Sequence, residues 1–398
     1  MKIGIYTDTF YPEINGVATS CHLLEQQLMR RGHEVQVFAP RCRDCEKEKR
    51  DNIHYLASAP LFALKDRNVA IPGLNELLNR HSYKFDIIHT NTEFIMGYLG
   101  IHTAKSDACP VVHTYHTVWE DYTYYITHGT IIDGKAKGLI RKYSEWWCNR
   151  LDRVISPSEK TRNLLVSYGV ESKIDIIPTG MEIGRFNPQL HSEQMREEIR
   201  RECGIQPGER VLLNIGRIAR EKNIAQILRV FPRLHEIYPE VRLVLVGEGP
   251  QRGELEQMAR DLGIGEYVIQ TGPKPWDRID RYYAIGDVFC SASHTETQGL
   301  TYIEAMASGL CVCAVKDSCL DGVISDGVNG ILSDASDEAL LVALIRGFSQ
   351  EGKHIAGRAP SSVERYSAER FAESVEACYL RAIEDYHGRN GKRVNPHE

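Results

Sequence analysis

Apolar positions along this chain fall into two alternating patterns. The first is a short, nearly continuous apolar run: "KIGIYTD" at 2–8, "HEVQVFAP" at 33–40, "FDIIHTN" at 85–91, "PVVHTYH" at 110–116, "RVISPS" at 153–158 and "KIDIIPTG" at 173–180. Strands buried on both faces of a parallel sheet have this character. Between several of them apolar residues space out at helical intervals, as in "NGVATSCHLLEQQLMRRG", a helix closed by Gly32. Past "IPTGMEIGRFNP" the pattern restarts with "RVLLNIGR", "VRLVLVGEG", "YVIQTG", "DVFCSAS" and "LCVCAV". The stretch 178–205 shows no clear period and is expected to be linker and domain opening. A last helix is expected at about 367–387, beyond the second set of strands. Two rounds of strand–helix alternation predict an α/β protein with two doubly wound, Rossmann-like parallel sheets. Ligands in such sheets bind at the carboxyl ends of the strands, so the loops there carry the chemistry.

The length of 398 residues agrees with two domains, since single cores stop growing near ~250–300 residues. A net charge of -6 gives no general attraction to nucleic acid, so any anion must be held by a local group of cations. The chain has 11 cysteines, with one C-x-x-C at Cys42 and Cys45 and no second pair at zinc-ribbon distance, so no metal is expected. Cys290, Cys311 and Cys313 stand in apolar runs and read as small core residues. The chain opens directly on a strand, and no apolar run approaches the ~18 residues of a membrane span. A cytoplasmic protein is expected.

Four loops stand out. In "TDTFYPEINGVAT" the first strand ends near Asp8, and Asn15 and Gly16 precede the first helix. The pair either brings backbone N–H groups to an anion at the positive end of that helix or is a plain turn with a capping Asn. In "NIGRIAREKN", Arg217 follows Gly216 at the end of a strand and Lys222 comes five residues later. Two cations there suit a diphosphate, or else form a solvated basic loop. In "HTETQGLTYIEAMASG", Glu296 precedes Gly299, and a helix begins at Leu300 and Thr301 with Glu304 one turn in. First-turn N–H groups of Leu300 and Thr301 can hold a phosphate. Glu304, on the face of Thr301, can take a ribose diol or be an ordinary surface carboxylate. The fourth loop, "HTYHTVWEDYTYYITHG" at 113–129, crowds Trp119, Tyr122, Tyr124 and Tyr125 around Glu120 and Asp121. It is either a well-packed cover or an acceptor platform beside His116.

Taken in order, these residues resemble the family-4 retaining glycosyltransferases of the GT-B fold. The resemblance runs through Asn15 and Gly16, His116 and Thr117, "GR" with Lys222, "VGEGP" at 246–250, and the two glutamates. It implies two Rossmann-like domains facing across a cleft. An acceptor-binding domain would span 1–180 and a nucleotide-sugar domain 181–366. A final helix in 367–398 would cross back to the first domain, and closure would bring Gly16 to the phosphates. It further implies that Asn15, Gly16, Gly216, Gly299, Leu300 and Thr301 serve the donor phosphates and that Arg217 and Lys222 neutralise the leaving nucleoside diphosphate. Glu296 would contact the donor sugar and Glu304 would bind ribose. No D-x-D occurs in the sequence, so these two cations are expected to replace a metal.

"H-T-x-W-E-D-Y" resembles the diacylglycerol glucosyltransferases within that family, which implies a nucleoside-diphosphate glucose donor, a membrane lipid acceptor, an acceptor site of Trp119, Glu120, Asp121 and Tyr122, and a catalytic His116 near the reacting hydroxyls. Tyr124 departs from a His common in those relatives. The segment 135–153 is read as a helix bearing Lys135, Lys137, Arg141, Lys142, Arg150 and Arg153, with Leu139, Ile140, Tyr143, Trp146, Trp147 and Leu151 on one side. It is either a reversible contact with an anionic inner membrane face or a helix packed on the sheet. A weaker second candidate is 61–84. The same donor chemistry on a soluble sugar, polyol or thiol, and a non-catalytic sugar-nucleotide binder, are the alternative functions.

Overall fold

The structure is a computed structural model. It describes all residues except 14, 43–44, 46–49, 61–67, 72, 74–82, 123–132, 294–295 and 392–398. Two compact units emerge: Met1–Met181 together with Ala368–Glu398, and Glu182–Ser367.

The first unit holds strands β1 (Lys2–Tyr6), β2 (Glu34–Pro40) and β3 (Ile53–Leu56), a short antiparallel ribbon of β4 (Ser58–Pro60) and β5 (Asn68–Ala70), then β6 (Ile87–Thr90), β7 (Val111–Thr114), β8 (Arg153–Ser156) and β9 (Lys173–Ile176). Its main sheet has the order β3-β2-β1-β6-β7-β8-β9, and every pairing in it is parallel. The second unit holds β10 (Arg210–Ile215), β11 (Val241–Val246), β12 (Val268–Gly272), β13 (Val288–Ser291), β14 (Cys311–Val315) and β15 (Ile331–Ser333), in the order β12-β11-β10-β13-β14-β15, again all parallel. Both are doubly wound sheets as the apolar runs predict. In each the strand order reverses next to the first strand, between β1 and β6 and between β10 and β13, the switch point at which such sheets bind ligands.

The sequence reading missed β3, the ribbon β4–β5 and β15, which fall in stretches read as loops. It also took 178–205 as linker, whereas Ser192 caps a helix over Glu193–Glu202 with its side chain on the Met195 N–H. Ile199 is the one core residue of that helix, too little for an apolar period to show.

The helix Ala368–Gly391 belongs to the first unit. Phe371, Ala372, Val375, Cys378, Tyr379 and Ala382 recur at helical spacing and are all buried with Ile3, Ile5, Leu24, Leu28 and Ile87. Each large apolar side chain buried this way contributes about 1.5–3 kcal/mol. Ion pairs flank the stripe: Arg31 with Glu376 at 2.6 Å, Arg153 with Asp385 at 2.7 Å and Arg381 with Asp175 at 2.9 Å. Cys290, Cys311 and Cys313 are buried in the second unit's core. No helix among the described residues is long and apolar enough to cross a membrane.

Candidate active site

In the second unit the chemistry gathers at the β10/β13 crevice. Beyond β10, the backbone of Gly216 and Ile218 is stitched to the end of β11, with Gly216 N–H on Val246 O at 3.0 Å and Ile218 N–H on Glu248 O at 2.9 Å. The loop then turns through Arg220–Lys222, and the Ser293 hydroxyl donates to Glu221 O at 3.3 Å, tying it to the segment after β13. Arg217 is half exposed and lies 3.9 Å from Glu221. The Lys222 ammonium makes a direct ion pair with the Glu296 carboxylate. One of the two cations and the first of the two acids are thus brought together. The Tyr302 phenol is pushed well above its usual range, first by burial and second by the negative charge of Glu296.

Gly299 caps the helix Leu300–Ala307 at φ +75°. A Cβ there would stand 2.5 Å from the Tyr302 ring, so both the backbone conformation and the packing require glycine. Tyr302, Ile303, Ala305 and Met306 are buried, whereas Leu300, Thr301 and Glu304 reach the surface in one stripe. The first-turn N–H groups of Leu300 and Thr301 lie ahead of the helical ladder. Glu304 accepts a hydrogen bond from the Tyr283 hydroxyl at 2.6 Å. Burial raises its carboxyl to about 7, against the lowering effects of that hydrogen bond and of Arg185. Arg185 is itself held by Asp280 at 2.8 Å and stacks 4.1 Å from the Trp276 ring. Tyr283 and Arg185 therefore shape the site of Glu304, and sequence reasoning missed both.

In the first unit, Asn15 caps the helix Gly16–Arg30 with its side-chain oxygen on Ala18 N–H at 3.0 Å and donates to the Thr9 hydroxyl at 2.7 Å. The capping role is realised. Gly16 is exposed, and a Cβ there meets nothing within 4 Å, so the fold itself does not demand glycine. His116 follows β7, with Nε2 at 3.0 Å from Asn91 Oδ1. Burial, and then the neighbouring His113, hold its pKa down to about 3, so the ring is neutral. Trp119 donates its indole N–H to Glu93 at 3.2 Å and meets Phe94 edge-on. Asp8 accepts from Thr92 Oγ1 at 2.6 Å. Asn91, Thr92 and Glu93 went unremarked in the sequence. The available signal was an unbroken polar run, "HTNTE", directly after an apolar strand.

The structure locates the remaining expected site residues and corrects one of them, Trp147. Glu120 is buried and its carboxylate is engaged by Arg141 and by the Tyr168 hydroxyl. Glu120 is thus tied into the first unit, whereas Arg141 stays exposed on the helix surface. The helix expected over 135–153 runs Asp133–Cys148, and Arg153 lies in β8, paired with Asp175 and Asp385. Trp147 is 0% exposed, in the core with Met96, Val154 and Leu165, so it cannot touch a membrane. Trp146 is 41% exposed and Leu139 71%. Arg150 lies 3.6 Å over the Trp146 ring, Lys142 is exposed and Lys137 is half-buried. Asp121 and Tyr122 close the turn Trp119–Tyr122. Tyr124, Tyr125 and most of 61–84 lie outside the described residues. Among those described, no cluster of three metal-ligating side chains occurs.

Comparison with known proteins fits this arrangement. The family model described as Glycosyltransferase Family 4 matches residues 14–185, and that described as Glycosyl transferases group 1 matches 195–357. An alpha-monoglucosyldiacylglycerol synthase of Streptococcus pneumoniae is 39% identical over 96% of this chain and 86% of its own length. A protein of the same name from Acholeplasma laidlawii is 30% identical over 99% of this chain and 100% of its own. The crystal structure of Anabaena Alr3699/HepE in complex with UDP aligns over 96% of this chain and 100% of its own, with a TM-score of 0.75 at 18% identity, a likeness of fold. Two doubly wound units, both family matches and relatives spanning nearly the whole chain lead to one conclusion: this protein belongs to the family-4 glycosyltransferases of the GT-B fold.

Proposed function

We propose that the enzyme transfers glucose from UDP-glucose to 1,2-diacylglycerol, with retention of configuration and without a metal. The observation that carries the donor half is the group at the β10/β13 crevice: Arg217, Lys222, Glu296, the Gly299-headed helix and Glu304 on one short stretch of loop ends. Such a group offers a cation or N–H for each phosphate and a carboxylate for each sugar. Breaking the bond from C1 to the diphosphate oxygen leaves negative charge on the diphosphate. Arg217, Lys222 and the N–H groups of Leu300 and Thr301 stabilise that charge in place, which is the effective form of such catalysis. Glu304 accepts from the ribose diol, and Glu296 shares Lys222 and turns to the sugar. The acceptor hydroxyl forms the new bond on the face the diphosphate leaves, and its proton passes to the departing oxygen. The lipid acceptor is supported by the two relatives named alpha-monoglucosyldiacylglycerol synthase. Peripheral, reversible binding to the inner face of the cell membrane follows from a lipid acceptor and from the outward Trp146 and Leu139 beside Lys142.

The test is mass analysis of products after incubation with lipid extract, a panel of sugar nucleotides and excess chelator. A monoglucosyl diacylglycerol of α configuration from UDP-glucose is expected. Arg217→Ala and Lys222→Ala should each lower turnover by ~10²–10³ with the fold retained. Transfer to a soluble acceptor alone, or activity restored solely by Mg²⁺ or Mn²⁺, overturns the reading.

A further inference from the structure

The run "HTNTE", 89–93, is buried at every position: His89, Thr90, Asn91, Thr92 and Glu93 are all under 9% exposed. Five consecutive polar side chains are buried together only when they have partners. His89 is held at both ring nitrogens, by the Tyr379 hydroxyl and the Thr114 hydroxyl, each at 2.7 Å. His113 is likewise held at both, by Thr90 Oγ1 at 2.9 Å and Glu93 at 3.3 Å. Thr92 bonds Asp8. Asn91 differs. Its Oδ1 meets His116 Nε2 at 3.0 Å, while its Nδ2 is buried with no partner among the described residues. A leucine of similar shape would fill this place without stranding a donor. The amide is therefore there for His116.

His116 also differs from the other two histidines. It is held through Nε2 alone among the described residues, and it reaches the surface. Its ring is neutral, because burial and His113 keep its pKa near 3, so one nitrogen carries a proton and the other a lone pair. With Oδ1 of Asn91 facing Nε2, the proton sits on Nε2 and Nδ1 is left to accept.

We propose that Asn91 is a positioning residue: it fixes His116 in the Nε2–H tautomer so that the Nδ1 lone pair accepts a hydrogen bond from a substrate hydroxyl. This rests on the proposed glycosyl transfer and on the expected place of His116 near the reacting hydroxyls. A histidine in the wrong tautomer offers a donor where an acceptor is needed, and the partner group of a histidine decides between them.

The experiment is ¹⁵N NMR of histidine-labelled protein, assigned by comparison with His116→Gln, together with steady-state kinetics. Wild type should show His116 with the proton on Nε2. Asn91→Leu should mix the tautomers and lower kcat by ~10- to 100-fold, with KM for the nucleotide sugar unchanged. Asn91→Asp should keep the tautomer and most of the rate. Its carboxylate should also favour the imidazolium and move the acidic limb of the rate profile to higher pH, a change a purely structural residue would not cause. His113, with Glu93 and His89 behind it, is present in every variant and cannot produce that difference. Loss of donor hydrolysis and transfer together in Asn91→Leu assigns the hydroxyl to the sugar. Loss of transfer alone assigns it to the acceptor. A proton on Nδ1 in wild type, or Asn91→Leu transferring sugar as fast as wild type, overturns the role of Asn91. A wild-type chain that transfers no sugar overturns the proposed function instead.

Discussion

Glu304 stands in a place that disfavours charge. Its carboxyl is raised to about 7 chiefly by burial, with Tyr283 and Arg185 pulling the other way. A carboxyl raised on folding contributes stability below its unfolded pKa, and that contribution is lost as pH rises through about 7. Glu304→Gln should therefore unfold at a higher denaturant concentration than wild type at pH 8, by about 1–3 kcal/mol in stability, and match it at pH 4. Nucleotide binding should have the opposite sign. A carboxylate accepts two hydrogen bonds from a ribose diol, whereas the protonated form accepts them weakly. UDP affinity of the wild type, followed by calorimetry, should fall as pH drops through about 7, and that of Glu304→Gln should be low and flat. The Lys222–Glu296 ion pair belongs to the same scale: under the proposed function one lysine serves both a phosphate and the neighbouring acid.

Among the elements, two helix starts that look alike in sequence behave differently. Gly299 has φ +75° and no room for a Cβ. Gly299→Ala should lose at least the ~1–2 kcal/mol of a left-handed non-glycine residue and lower the melting temperature. Gly16 stands in open space, so Gly16→Ala should melt at or above the wild-type temperature, yet turn over more slowly if a phosphate approaches that helix start. Equal turnover would leave Gly16 as a turn residue. The helix Asp133–Cys148 offers a similar contrast within one dipeptide. Trp146→Ala should weaken sedimentation with anionic vesicles and spare stability. Trp147→Ala should cost about 3–5 kcal/mol as a core truncation. Lys142→Glu should weaken vesicle binding mainly at low salt, since each cation near such a surface contributes ~1 kcal/mol that fades within a Debye length.

These elements also show what was legible beforehand. Central strands such as β10 and β11 are buried on both faces and announce themselves as "VLLNI" and "RLVLV". The edge strand β3, "IHYL", and the three-residue β15, "ILS", are too short or too mixed to separate from loop. Lys222, Glu296, Gly299 and Glu304 stood out in sequence as charges and a glycine at strand ends, and the structure joins Lys222 to Glu296 and puts Gly299 at a helix start. Trp147 was misread because sequence shows residue type and spacing, but not which partner lies across the sheet. Asn91 and Glu93 escaped because their partners, His116 and Trp119, stand twenty-five and twenty-six residues away.

For the whole molecule, the decisive element is the helix Ala368–Gly391. Ending the chain at residue 367 removes Phe371, Val375 and Tyr379 from the core of the first unit and leaves Arg153 without Asp385. In that truncation the second unit should still unfold cooperatively, while the first should give little cooperative transition and expose apolar surface to a hydrophobic dye. Two full-amplitude transitions in calorimetry would contradict this.

The same arrangement sets the order of events during synthesis. Domains usually fold as they leave the ribosome, amino-terminal first. Here Ile3, Ile5 and Leu28 emerge early but must wait for residues 371–382, which follow the entire second unit. The second unit can therefore close while the first is still incomplete, and a nascent chain exposes the first unit's apolar faces for most of its elongation. An interrupted message yields a well-formed second unit attached to an unfinished first one, which chaperones and proteases can recognise by its uncovered sheet. Translation through the 370s thus acts as a completeness check on the enzyme.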